Sequence, residues 1–186
     1  MPDPMMLQRR TVPLWRWLLW GSAAALLLLP AIAMHYTDEV RWEAASFVVM
    51  GLMLATLCGL VELGLYLGCH WAYRLGFALA ALTGFATVWV NLAVGMIGAE
   101  GDPRNLMFIG VLLVAATGAG FARFRAPGLA TTMFATAAAM AATVVYAAAT
   151  GHALEARLLL LWVVAWAMAG ALFRIAARAG ASARGG

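Results

Sequence analysis

Apolar residues along this chain fall into six long, nearly uninterrupted runs, at about 14–34, 45–69, 75–97, 106–122, 129–149 and 158–175. A hydrocarbon core about 30 Å thick takes about 20 predominantly apolar residues per helical span, and every run is of that order. The sixth is short, and would tilt less or thin the bilayer around it. The polar connections, at 35–43, 70–74, 98–105, 123–128 and 151–157, are brief. Short loops make successive helices reverse direction, so neighbours in sequence are expected as antiparallel neighbours in space. The pattern predicts an all-α polytopic membrane protein. Its six transmembrane helices form one antiparallel bundle over 1–186, flanked by an N-terminal segment at 1–13 and a tail at 176–186. Pro30, near the end of the first run, is expected to end or bend that helix, because its ring displaces a backbone hydrogen bond.

Composition strengthens this reading. Hydrophobic residues make up 65% of the 186-residue chain and charged residues only 11%, with a mean hydropathy of +0.90. A water-soluble domain is about half apolar and about a quarter charged, and a disordered chain is less apolar still. Both classes are excluded.

Charge supplies orientation. The formal net charge is +4, but the basic residues lie in ones and twos between apolar runs, with no basic patch interleaved with aromatics, so nucleic acid is not an expected partner. All twelve basic residues are Arg. The absence of Lys excludes chemistry that needs a primary amine, including Schiff-base catalysis. With both termini in the cytoplasm, nine Arg fall inside (9, 10, 16, 74, 123, 125, 174, 178 and 184) and three outside (41, 104 and 157). That bias is the one the positive-inside rule describes. Trp15, Trp17, Trp20 and Trp71 would lie at the inner boundary, and Trp42 and Trp162 near the outer one, as aromatic belts. Arg9 and Arg10 ahead of a Leu-rich run ending in Ala31-Ile32-Ala33 also echo a cleavable signal. The length of the run and its opening Trp residues suit a permanent anchor better.

Small residues set the expected packing, since helices in lipid associate through close contact rather than hydrophobicity. Gly51, Ala55, Gly59, Gly64 and Gly68 in the second run, Gly118 and Ala122 in the fourth, and the Ala/Thr-rich fifth run mark these helices as inner ones. The Leu-rich first and Leu/Trp-rich sixth runs are expected to face lipid. The same small faces suit a homo-oligomer or other membrane subunits.

Few residues carry chemistry. Glu62 is the one ionisable group well inside a run, and such a residue is a functional candidate because its charge is costly in lipid. Helical spacing places it on a stripe with Gly51, Ala55, Cys58, Tyr66 and Cys69. It reads either as a proton- or cation-binding carboxylate or as a protonated or Arg-paired helix lock, with Arg16 or Arg74 in reach. Asn91, in the outer half of the third run, reads as a second polar site or an interhelical hydrogen bond, at a different depth from Glu62. Outside the membrane, Asp38, Glu39, Glu100, Asp102 and Asn105 form a polar cluster able to offer oxygen ligands to a divalent cation, although the regular spacing of a calcium loop is missing. Asp102 followed by Pro103 reads as a helix N-cap and first helical residue. The run Thr37-Asp38-Glu39 is read as opening the second helix. Cys58 and Cys69, eleven residues apart on one run, are too distant to form a disulfide within a helix. His35 and His152 share the outer edge and would be the axial pair if a haem were bound. No His-x-x-x-His, Cys-x-x-Cys or Gly-x-Ser-x-Gly pattern occurs, nor a phosphate-cradling Gly loop.

The stretch from Trp89 to Glu100, with Asp102-Pro103 and Asn105-Leu106-Met107, resembles a motif of an uncharacterised family of small bacterial multi-span inner-membrane proteins. Thr37-Asp38-Glu39-Val40 and Trp42 resemble its upstream part. The likeness covers the middle half of the chain. It implies a bacterial inner-membrane protein with polar outer-side motifs, and implies no activity. The sequence therefore points to a non-enzymatic accessory or assembly component of the membrane. The rival is a small proton- or cation-coupled transporter using Glu62, and a haem-bearing electron carrier is third.

Overall fold

The computed structural model describes residues 13–37, 41–99 and 101–185. Six helices follow one another: α1 (Leu14–Tyr36), α2 (Ala44–Leu67), α3 (Trp71–Ala93), α4 (Met107–Phe121), α5 (Ala126–Ala149) and α6 (Ala153–Gly185). A 3-10 turn, Pro103–Leu106, leads into α4, and no strand occurs among the described residues. All six are long and apolar enough to cross a membrane, counting the turn with α4. The all-α reading holds.

Helix ends differ from the apolar runs where capping chemistry intervenes. The third helix begins at Trp71, four residues before its run, because the His70 ring accepts a hydrogen bond from the Ala72 N–H (3.2 Å). Such a bond satisfies a donor at the helix start that otherwise has no partner. The first helix runs on through Pro30 to Tyr36 instead of ending there. In an apolar run the helix is the conformation that keeps the remaining backbone groups bonded, which outweighs the one bond lost. Thr37 does not open the second helix. Its N–H donates to Ala33 O, closing α1, and α2 starts only at Ala44. The sixth helix is not short. At 33 residues it outruns its apolar stretch, because the Ala- and Arg-rich continuation has strong helix propensity.

The chain divides into two compact units, Met1–Cys58 and Gly59–Gly186. In the first, α1 has no buried residue. A methyl on Gly51 would stand 3.6 Å from the Leu27 side chain, an ordinary contact, and Cys58 Sγ lies 3.9 Å from Leu19 O.

In the second unit, α6 packs against both α3 and α5, and α5 packs against α4. Trp166, Ala169 and Phe173 of α6, Phe108 of α4 and Leu129, Thr136 and Met140 of α5 are buried at its centre. The sixth helix is therefore an inner helix, against expectation, whereas α2 is largely exposed. Leu and Trp suit a protein interior as well as lipid, so residue type alone does not separate the two surroundings. Close approach depends on glycine, as expected for helices in lipid. A methyl on Gly118 would come within 2.5 Å of the Thr132 side chain, one on Gly76 within 3.1 Å of Leu172, and one on Gly170 within 3.2 Å of the Phe134 ring.

Three buried threonine hydroxyls are bonded within their own helices, whereas the Tyr73 hydroxyl of α3 donates to Phe124 O at 2.8 Å. Thr83, Thr87 and Thr136 each donate to the carbonyl four residues back, at 2.7, 2.7 and 2.9 Å.

Candidate functional site

Asn105, Asp102, Arg104 and His152 of the second unit gather where α3 gives way to α4 and α5 to α6. The chain leaves α3 at Ala93 and turns at Gly95, whose φ of +77° lies in the left-handed region that favours glycine. A side chain there is also excluded by space, since a Cβ would stand 2.6 Å from Ala99 O and 2.9 Å from Asn105 Nδ2. Asn105, buried at 4% exposure, fills the turn with its carboxamide. Its Oδ1 accepts from the Met96 and Ile97 N–H groups, both at 3.0 Å, and its Nδ2 donates to Ala99 O at 2.8 Å. Two backbone N–H groups that the loop would leave unpaired are thus satisfied by one side chain, and Ala99 O, which also accepts from the Asp102 N–H at 3.0 Å, gains a second donor.

Asp102 takes the N-cap position of the 3-10 turn, with Pro103 just inside it, as its sequence context predicts. Its Oδ1 accepts from Arg104 N and Arg104 Nε, both at 2.9 Å, and its Oδ2 pairs with the Arg104 Nη2. These bonds favour the charged carboxylate, and hold its pKa down to about 2, the Arg104 side chain contributing most and its backbone N–H next. The guanidinium then reaches the half-buried His152 at the start of α6, with Nη1 at 3.1 Å from Nε2. A guanidinium only donates, so the ring nitrogen facing it presents a lone pair. Thr150 Oγ1 lies 3.2 Å from His152 Nδ1 and also donates to Tyr146 O. Asp102, Arg104, His152 and Thr150 therefore clasp two neighbouring loops. Arg104 supplies three donors to the carboxylate, and the Thr150 hydroxyl beside the His152 ring is engaged with Tyr146 O.

Of the polar residues singled out in the sequence, Asp102 and Asn105 come together here, with Asn91 beside them. Asn91 Nδ2 makes a long contact with Asn105 O (3.5 Å), a helix-to-loop bond where an interhelical one was expected. Asp38, Glu39 and Glu100 lie outside the described residues. No group of three or more His, Cys, Asp or Glu suited to a metal occurs among the described residues. His35, exposed at the end of α1, packs edge-on against Tyr36. Arg104 and His152 are 48 positions apart, and nothing local in the sequence pairs them.

Glu62 is half-buried on α2 and engaged rather than free. Gly64 lies under the Phe77 ring and Gly68 under Tyr73, so α2 and α3 run antiparallel and Glu62 is level with about residue 79. Asn91 is then about 18 Å further along α3 at 1.5 Å per residue, and the two form no joint site. Arg74 Nε donates to Gly68 O at 2.7 Å, capping the end of α2. The expected stripe is not uniform, since Cys58 is buried while Tyr66 is 86% exposed. Neither Cys58 nor Cys69 is in a disulfide.

Three buried polar atoms have no hydrogen-bond partner among the described residues: Asn91 Oδ1, Trp162 Nε1 and Trp166 Nε1. A methyl on Gly84 of α3 would lie 3.8 Å from Trp166, which sets the Trp166 ring where α3 meets α6.

Comparison of the chain with protein-family models, curated proteins and solved structures gave no match.

Proposed function

We propose that the chain is a non-catalytic, six-span protein of the bacterial inner membrane, with both termini in the cytoplasm, that acts as an accessory or assembly subunit. The observation that carries this reading is the outward side of α4. Gly110 and Gly120 there have open space where a side chain would stand, and Leu113 and Thr117 between them are exposed. Spacings of three and four residues keep these positions on one side of the helix. A face with glycine at both of its ends lets another transmembrane helix approach closely there. The loop chemistry agrees, because Asn105, Asp102 and Arg104 are spent on internal bonds.

Native mass measurement on gently solubilised protein tests the proposal. The expected result is a homo-oligomer or a complex with other membrane subunits, weakened in Gly110→Leu and Gly120→Leu. A strictly monomeric particle that copurifies with nothing contradicts it.

The rival reading is a proton- or cation-coupled carrier, supported by a half-buried carboxylate, Glu62, in an otherwise apolar helix. Reconstituted vesicles decide it. If Glu62→Gln moves ions or solutes as the parent does, or neither moves any, the carrier reading fails.

A further inference from the structure

A groove of about 470 Å³ opens between the start of α5 and the last third of α6. Arg174 and Arg178 of α6 stand on one wall, Pro127, Thr131 and Phe134 of α5 on the other, with Ala181 beyond. No lining residue is acidic. The whole of α5 contains no Asp or Glu, and α6 contains only Glu155, about 28 Å from Arg174 along the helix at 1.5 Å per residue. Both arginines are exposed.

Three features make the groove a receptor for an anion. Residues four apart on a helix are neighbours, and like charges so placed repel unless an anion lies between them. The Arg174 guanidinium lies over the Phe134 ring, 4.5 Å from its centroid; that contact orients the group through its face and leaves its N–H edges able to donate. The start of α5 adds its positive end, because Arg125 supplies no side-chain cap and the first turn contains no acid.

The position and the apolar floor identify the anion. Residues 158–173 of α6 are apolar and span about 24 Å, so Arg174 stands at the edge of the hydrocarbon layer, where lipid phosphates lie. Phe134, Ala130 and Ala177 line the same groove and suit an acyl chain rather than water. Basic pockets between transmembrane helices at that depth take anionic headgroups. We infer that this groove binds the headgroup of an anionic phospholipid, its phosphate bridging Arg174 and Arg178 and an acyl chain lying along Phe134. The inference rests on the membrane reading above and not on the assembly role.

Native mass spectrometry of the full chain in detergent, with phosphatidylglycerol or phosphatidylcholine of identical acyl chains, tests it. Each arginine near a membrane surface favours an anionic lipid by about fivefold, so the expected preference for phosphatidylglycerol is at least about fivefold. It is lost in R174Q/R178Q, and also in A181W, which fills the groove with both arginines kept. R9Q/R10Q, which removes the same charge elsewhere, retains it. The proposal is overturned if the parent shows no preference, if either groove variant keeps it, or if R9Q/R10Q loses it equally. Displacement of the lipid by millimolar inorganic phosphate would show a free-anion site and overturn it too. Oligomeric state is read from the same spectra, so failure of the lipid site and failure of the assembly reading are scored separately.

Discussion

Asn105 satisfies two N–H groups and one carbonyl of the loop between α3 and α4 from a buried position. Removing the side chain leaves the two N–H groups unpaired at about 1–3 kcal/mol each, while Ala99 O keeps its bond from the Asp102 N–H, so Asn105→Ala is expected to destabilise the protein by at least about 2 kcal/mol in a reversible denaturation in detergent. Asn105→Asp keeps the two acceptor bonds, faces Ala99 O with an oxygen, and should fall in between. An Asn105→Ala as stable as the parent would show that the loop does not depend on this side chain. Asp102 gives a pH signature. Its folded pKa, about 2, lies below the ordinary 3.8, so its pairing with Arg104 stabilises the fold in full above about pH 4 and is lost as pH falls through about 2. Melting temperature followed from pH 5 to 2 should decline less in Asp102→Asn than in the parent. Equal slopes would refute the ion pair's role. The sequence revealed Asp102 as a cap because an N-cap is local. It hid the partnership of Arg104 with His152, because that contact exists only once two helical hairpins have folded side by side.

Helix packing gives a matched pair of glycine tests on one element. Gly118 of α4 faces Thr132 of α5, which a methyl would approach to 2.5 Å, whereas Gly110 of the same helix has nothing within 4 Å of such a methyl. Overpacking costs about 1–3 kcal/mol, so Gly118→Ala should destabilise by that amount while Gly110→Ala leaves the stability of the dissociated chain unchanged or slightly raised, measured by the same denaturation at dilution. Equal effects would mean that α4 and α5 do not pack as described. The helices themselves were legible, since a run of about 20 apolar residues has few other solutions. Their ends were less so. His70 starts α3 early, Ala and Arg carry α6 past its apolar stretch, and Thr37 closes α1 rather than opening α2. Those outcomes turn on single capping bonds and propensities, which hydropathy does not register.

For the molecule as a whole, six membrane-length helices could be read from the sequence, but not which of them form the interior. Lipid and protein core are both apolar, so Leu and Trp on α6 suited either. The choice was made by Gly76 and Gly170, which let α6 close on α3 and α5. The central proposal is a topology of six membrane crossings with both ends in the cytoplasm. Cysteine accessibility in intact cells tests it most directly, in a background where Cys58 and Cys69 are replaced by Ser. Gly101→Cys, in the α3–α4 loop, should react with a membrane-impermeant maleimide added outside, and Ser182→Cys, near the end of α6, should react only after the membrane is permeabilised. Labelling of Ser182→Cys in intact cells, or protection of Gly101→Cys there, would contradict the account.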